Sequence, residues 1–243
     1  MRSRTEMRLD KLLSRLGLAS RAGCRDLLKA GRVQVNGETK KDGALNVPDG
    51  AEVTLDGQSL DTRMTRHLML YKPAGVLTAK EDRKQRTVMD LLPPVYSALE
   101  CMPVGRLDKD TTGILLLTTD GELAHRLIAP GRHVDKVYEA RVDGILTERD
   151  KEAFAAGIVL KDFTALPAKL DILADDVGRV TVQEGKYHQV KRMFSSTGKQ
   201  VLALHRVSFG PLRLDEALAP GEYRELREEE TAALYAAAGM NHE

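Results

Sequence analysis

Leu9, Leu12, Leu13 and Leu16 recur at helical spacing, and Gly17 closes the pattern. Ser20 is placed to cap a second helix over Arg21 to Ala30, ended by Gly31. The alternating stretch Arg32-Val-Gln-Val-Asn-Gly37 reads as a short strand closed by an Asn-Gly turn, and Val47 to Leu55 holds further short strand signals. Together these predict a compact helix-helix-strand module. Asp56 to Arg66 is polar and poor in large apolar residues, which predicts a linker. From His67 the pattern changes. Apolar runs at Leu68 to Tyr71, Ile114 to Leu117 and Val201 to Leu204 are interspersed with helical stretches. Those stretches are Val88 to Leu92, Glu122 to Ile128, Thr147 to Ala156 and Gln189 to Ser195. Regular strand-helix-strand alternation is missing, so the expected class is α+β with a mixed, mainly antiparallel sheet. The expected division is a domain over 1–61, a linker to about 66 and a second domain over 67–243.

The densest chemistry lies in Gly105 to Gly121, GRLDKDTTGILLLTTDG. Ile114 to Leu117 is short, apolar and flanked by turn residues, which predicts a buried strand. Asp108 precedes it, in a loop braced by a packed element, where a reactive carboxylate is best held. The plain alternative is a charged loop before a core strand. Asp110 and Asp120 are rival carboxylates; Asp120 before Gly121 reads as a turn former and Asp110 before Thr-Thr-Gly as a loop-shaping residue.

Composition changes the picture in three places. The chain has 243 residues, 42% apolar but only 4% aromatic and without Trp, so its core is aliphatic. The formal net charge is +1, yet Met7 to Lys41 carries nine Lys/Arg against Asp10, Asp26 and Glu38. Such a local excess attracts polyphosphate even when the total is near zero; a solvated, salt-bridged helical face is the alternative. Asp215 to Glu230 is acidic, with seven Asp/Glu and two Arg, and is expected to face away from nucleic acid. Cys24 and Cys101 belong to no paired motif and the six His show no metal spacing, which predicts a reducing compartment and no metal. No apolar run is long enough for a membrane and the start lacks an apolar signal core, so a cytoplasmic protein is expected.

Residues 7–55, which begin MRLDKLLSRLGLASRAGCRDLLKAGRVQVNG, resemble the small S4-like RNA-binding domain. The resemblance carries RNA contacts onto Arg8, Lys11, Arg21, Arg25, Lys29 and Arg32. Four later segments resemble the pseudouridine synthases of ribosomal RNA, in the branch with an N-terminal S4-like domain. They are Tyr71-Lys-Pro-Ala-Gly-Val76, Gly105 to Gly121, Lys136-Val-Tyr-Glu-Ala-Arg-Val142 and Glu184-Gly-Lys-Tyr-His-Gln-Val-Lys-Arg-Met-Phe194. Their order and spacing fit over nearly the whole chain. The run LHRVSFGPLRLDEALAPGEYRELREEE looks most like the branch acting on uridine 516 of small-subunit (16S) rRNA.

The family's reaction breaks the N1–C1′ bond of uridine, turns the base and joins C5 to C1′. It implies no cofactor, redox step or metal. By resemblance Asp108 is the carboxylate beside the sugar, as nucleophile or as the base taking a sugar proton. A carboxylate of this kind works ionised and wants a cation near it. The family places that cation at Lys191, with Arg192 as neighbour and second choice; exposed helix charge is the alternative for both. The base must leave the stack, and Tyr138 matches the tyrosine that stacks on uracil, whereas a tyrosine in an alternating strand is otherwise core. Arg106 matches the residue that helps hold the extruded nucleotide; an ion pair with Asp110 is the alternative. Lys72, with Pro73 and Gly75, resembles a supporting motif near the substrate, and Lys72 is grouped with Arg106 as a substrate contact. His188 invites a general-base role, but the mechanism needs no imidazole, so it is read as structural.

The implied partner is ribosomal RNA, free or in an assembly intermediate with ribosomal proteins, met by a monomer. A synthase for large-subunit rRNA, or a non-catalytic rRNA-binding assembly factor, are the competing readings. The latter would not need Asp108, Tyr138 and Lys191 together. An NTP-dependent RNA enzyme is disfavoured, because no Gly-x-x-x-x-Gly-Lys-[Ser/Thr] loop is present.

Overall fold

The computed structural model describes residues 6–48 and 50–241; the first five residues of the expected N-terminal domain lie outside them. Contacts divide the chain into two units. One holds the chain up to Thr65 and the segment Pro93–Cys101; the other holds Arg66–Leu92 and the chain from Met102 onward. Pro93–Cys101 therefore departs from the expected uninterrupted 67–243 domain.

In the N-terminal unit, α1 (Leu9–Arg15) and α2 (Arg21–Lys29) follow the predicted periodicity. Ser20 caps α2 by accepting the Gly23 N–H at 3.2 Å. Leu9, Leu12, Leu13 and Leu16 meet Cys24, Leu28, Val33, Val35, Val47 and Val53 in one aliphatic core. The strands are short: β1 (Met7–Arg8), β2 (Val33–Val35), β3 (Glu38–Thr39), β4 (Asn46–Val47), β5 (Val53–Leu55) and β6 (Gln58–Ser59). β1 pairs with β4, and the others form a sheet in the order β3-β2-β5-β6. Two-residue hairpin turns of type I′ need left-handed backbone at both central positions. Asn36-Gly37 (φ 50° and 79°) and Asp56-Gly57 (φ 51° and 80°) supply it. The second of these turns corrects the reading of a linker starting at Asp56: residues through Ser59 still belong to the sheet. The short helix α3 (Pro94–Ala98), with proline in its first turn, packs against α1 and has no counterpart in the periodicity.

The second unit is built on β7 (His67–Lys72), β8 (Met102–Pro103), β9 (Thr112–Thr118), β10 (Lys136–Val142), β11 (Lys169–Ala174), β12 (Val177–Val182), β13 (Val201–Phe209), β14 (Leu212–Arg213) and β15 (Tyr223–Glu225). Its helices are α4 (Gly121–Ile128), α5 (Glu148–Ala156), α6 (Gln189–Ser196) and α7 (Glu228–Ala237). The sheet runs β11-β12-β10-β13-β9-β7-β15, with β14 on β13 and β8 on β9. β9 and β13 pair in parallel, and the other named pairs are antiparallel. β9 is central and buried on both faces, which is why Ile114 to Leu117 is unbroken apolar sequence rather than alternating. Ile114 and Leu116 share one core with Met69, with Leu123 and Leu127 of α4, and with Leu234 and Tyr235 of α7.

Val88–Leu91 is a turn of 3-10 helix, tighter than the α-helix its spacing predicts, closed by a Thr87–Asp90 capping box. α7 begins inside the acidic run. Glu228, Glu229 and Glu230 occupy its first turn, where the exposed N–H groups favour negative charge. Arg224 ties the run together, reaching Asp215 at 2.6 Å and Glu230 at 2.7 Å. Among the described residues no helix is long and apolar enough to cross a membrane.

Candidate functional site

Asp108 sits in the loop between β8 and β9, and that loop is braced from below by the Lys72–Thr78 segment. Thr78 Oγ1 donates to the Leu107 carbonyl at 2.8 Å and accepts the Leu107 N–H at 3.2 Å. The Gly75 N–H donates to the Lys109 carbonyl at 2.8 Å, and the Thr111 N–H to the Asp108 carbonyl at 3.1 Å. Lys72 is fully buried, and its ammonium donates to the carbonyls of Pro73, Lys109 and Thr111 at 3.0, 3.2 and 2.9 Å. This corrects its reading as a substrate contact: no surface of the side chain is left for RNA, and its three N–H groups match three carbonyls of the braced loop. Burial pushes the Lys72 amine down to about 8, against the raising fields of Asp110 and Asp108, so it remains charged at neutral pH.

Gly113 explains the glycine after the two threonines. It lies opposite Arg206 where β9 and β13 pair, with φ +108°, and a Cβ there would stand 2.2 Å from the Arg206 carbonyl oxygen. The strands can meet only without a side chain at this point. Arg206 then turns inward, buried, with its Nε donating to the Ile114 carbonyl at 2.8 Å. Its guanidinium lies 6.0 Å from the Tyr138 ring and 5.1 Å from that of Phe209. Lys136, also buried, donates to the Val134 carbonyl at 2.7 Å. Burial, reinforced by Arg206, lowers its amine to about 8. Tyr138 alternates inward on β10 with Lys136 and Ala140 and is buried except for its edge on the cleft.

α6 supplies the other wall. Val190, Met193 and Phe194 are its buried face, and the Phe194 ring packs 4.9 Å from that of Phe154 on α5. Lys191 projects toward the loop. Its Nζ lies 3.3 Å from Asp108 Oδ2 and 2.6 Å from Asp110 Oδ1. The shorter contact is to Asp110, but that carboxylate is 74% exposed, whereas Asp108 is 26% exposed and lines the cleft. Lys191 holds the Asp110 carboxyl below its usual range through their hydrogen bond. Burial works to lower the Lys191 amine, but the two aspartates outweigh it and raise it. The alternative pairing of Asp110 with Arg106 does not form; Arg106 is exposed on the rim.

Arg192 does not join Asp108. Successive helical residues point about 100° apart, so when Lys191 faces the loop Arg192 faces Asp162, with which it pairs. It also lies 5.1 Å from the Phe163 ring. His188, read as structural, stands in the site: its Nε2 is 3.4 Å from Asp108 Oδ1. It holds left-handed backbone, φ 50°, immediately before α6. No periodicity announces that conformation. The assembled cleft spans about 430 Å³ with its solvent-open mouth included. Its lining joins Arg106, Asp108 and Thr111 from the loop to Tyr138 from the sheet and Lys186 and His188 from the segment before α6. It can hold a flat, uncharged ring against Tyr138 with a carboxylate beside it.

In the N-terminal unit, Arg8, Arg21 and Arg25 converge on one fully buried carboxylate, Asp10, at 3.1, 3.3 and 3.3 Å. Hydrogen bonding from Arg8, aided by Arg21 against the cost of burial, holds Asp10 far below the usual carboxylate range. The three arginines stay about half exposed, so the cluster is cationic and outward-facing. Lys11 and Lys29 are exposed on the same two helices. Arg32 is engaged by Asp56, and both remain half exposed.

Comparison with known proteins identifies the family of the chain. The model of the RNA pseudouridylate synthase family matches residues 66–196, and that of the S4 domain matches residues 7–53. The chain belongs to the RNA pseudouridylate synthase family and carries an S4 domain ahead of its synthase domain. It is an isomerase of RNA. An uncharacterized RNA pseudouridine synthase of Bacillus subtilis is 47% identical over 230 residues, covering 92% of this chain and 96% of the relative. Ribosomal small subunit pseudouridine synthase A of Yersinia pestis is 42% identical over 232 residues, covering 94% and 98%. The crystal structure of a pseudouridylate synthase superposes with a TM-score of 0.67 at 35% identity, covering 94% of this chain and 99% of that one.

Proposed function

We propose that this chain converts a single uridine of small-subunit ribosomal RNA to pseudouridine, at uridine 516, with Asp108 as the reacting carboxylate. The observation that carries the reading is the half-buried Asp108, 3.3 Å from the Lys191 ammonium, in a cleft that Tyr138 lines. Uridine swings out of the RNA stack and its base lies on the Tyr138 ring. Asp108 then acts at the sugar, attacking C1′ or taking a proton from the ring, as the N1–C1′ bond breaks. The freed base turns and C5 joins C1′, displacing Asp108 from C1′ in the first role or with Asp108 returning the sugar proton in the second; the C5 proton then leaves and N1 takes one up from solvent. In either role the carboxylate lies beside the Lys191 ammonium, 3.3 Å away. Arg106, exposed at the rim, meets the backbone of the extruded nucleotide. The S4 domain adds affinity and placement through Arg8, Lys11, Arg21, Arg25, Lys29 and Arg32, and a single copy acts in the cytoplasm on rRNA or an assembly intermediate. The likeness to synthases named for the small subunit, which extends across 94% of the chain, supports this target. Pseudouridine-specific chemical mapping across both rRNAs, in cells with and without the protein, tests it. Loss of the small-subunit signal at 516 is expected. Loss of a large-subunit pseudouridine instead would move the target and leave the reaction standing.

A further inference from the structure

Tyr187 is 76% exposed, among the most open large side chains of the protein, and it stands beside the cleft rather than on a distant surface. Its ring stacks on that of His188 with centroids 3.9 Å apart and planes 17° from parallel. His188 in turn reaches Asp108. One face of the tyrosine is thus covered by an aromatic ring that belongs to the site, and most of the residue faces solvent.

The pair is held in place by the segment around it. The Arg192 guanidinium, anchored on Asp162, donates to the Tyr187 carbonyl at 3.4 Å. On the other side Gln189 accepts the Lys186 N–H at 3.1 Å and donates to Glu184 at 3.0 Å. A lone exposed tyrosine needs no explanation. One stacked on a cleft residue, with its carbonyl held by Arg192, the preceding Lys186 N–H held by Gln189, and the exposed cations Lys186 and Arg106 on the same rim, is a different object. The cations suit phosphate and the open ring suits a flat π-system.

We infer that the Tyr187–His188 pair is a second stacking platform, for the nucleobase next to the reacting uridine. This rests on the reading of the cleft as the site of an extruded uridine. Extrusion removes a stacking partner from each neighbouring base. An aromatic face at the mouth of the cleft replaces that partner, tolerates any base, and stabilises the opened strand. It recognises an unpaired neighbour of either base type and adds no base-edge readout.

The test uses the full-length chain and a folded small-subunit rRNA fragment with 2-aminopurine at each nucleotide flanking the target uridine. Binding to the wild-type protein is expected to change the stacking-sensitive fluorescence at one flank. Tyr187→Leu should abolish that change, and Tyr187→Phe, which keeps the π-face, should retain it. In single-turnover conversion of the unlabelled fragment, Tyr187→Leu should raise half-saturation by roughly 5- to 100-fold, the scale of one base–aromatic stack. The saturating rate should fall far less. Equal fluorescence at both flanks in wild type and Tyr187→Leu, with equal half-saturation, overturns the platform. Wild-type protein that forms no pseudouridine in the fragment counts against the target reading instead, and the same comparison with probes flanking the uridine that chemical mapping identifies then reads the platform.

Discussion

Replacing Lys72 by methionine separates a buried brace from an RNA contact. Methionine keeps the length of the side chain and removes its charge and donors. Three hydrogen bonds are lost, at 2.9, 3.0 and 3.2 Å. Bonds from a charged donor contribute about 1.5–3 kcal/mol each. Against them stands the cost of burying the ammonium, expressed in the fall of its pKa from an ordinary 10.5 to about 8. That fall corresponds to about 3 kcal/mol. The net expectation is a loss of about 2–5 kcal/mol in stability. The loop carrying Asp108 also loses its tether, and a displacement on the order of 1 Å costs roughly 100-fold in rate. The pH dependence is specific. With the folded pKa below the unfolded one, the unfolded chain binds more protons between about 8 and 10.5, so this group makes stability rise with pH in that window. Lys136 has the same fall to about 8 and acts in the same direction, while burial pushes the Cys24 thiol up, which acts in the opposite direction. Lys72→Met should therefore flatten the rise, as measured by urea unfolding at several pH values. An RNA contact would behave otherwise. Unchanged stability and turnover, with a salt dependence of RNA binding flatter by about 0.7–0.9 in log–log slope, would refute the brace.

Asp108→Asn keeps the side chain's volume and should bind rRNA while forming no pseudouridine; retained turnover, with loss in Asp110→Asn instead, would show that the more exposed carboxylate does the chemistry. Lys191→Met removes an attraction of about 5 kcal/mol, taking the 3.3 Å separation from Asp108 and an effective dielectric near 20. A fall in the single-turnover rate is expected, and a larger loss in Arg192→Met would reverse the assignment. Replacing Arg21, Arg25 and Lys29 by glutamine leaves Arg8 on Asp10, so the buried carboxylate keeps a partner. The log–log salt slope of RNA binding should drop by about 0.7–0.9 for each phosphate no longer neutralised; an unchanged slope would place the RNA elsewhere.

The elements that depend on local rules were legible in the chain. The leucine periodicity defines α1, the Ser20 cap starts α2, Asn36-Gly37 makes the β2–β3 turn, and the unbroken run after Gly113 marks a strand covered on both faces. Each is a matter of neighbours within a few residues. The four-segment resemblance carried Asp108, Tyr138 and Lys191, and the fold brings all three to one cleft or its wall. No local rule decides what long-range packing imposes. Lysine is ordinarily a surface residue, so only the closing of a loop over three carbonyls shows Lys72 to be interior. Lys191 and Arg192 are adjacent cations that residue type does not separate, and only the resemblance prefers Lys191; the rotation of α6, set by burying Val190, Met193 and Phe194, sends one to Asp108 and the other to Asp162. Tyr187 and His188 are neighbours in the chain, yet they stack beside Asp108 only because His188 takes left-handed backbone where α6 meets the sheet. Local propensity acts through a few adjacent dihedrals, whereas the direction of a charge depends on which face of its element the distant core buries.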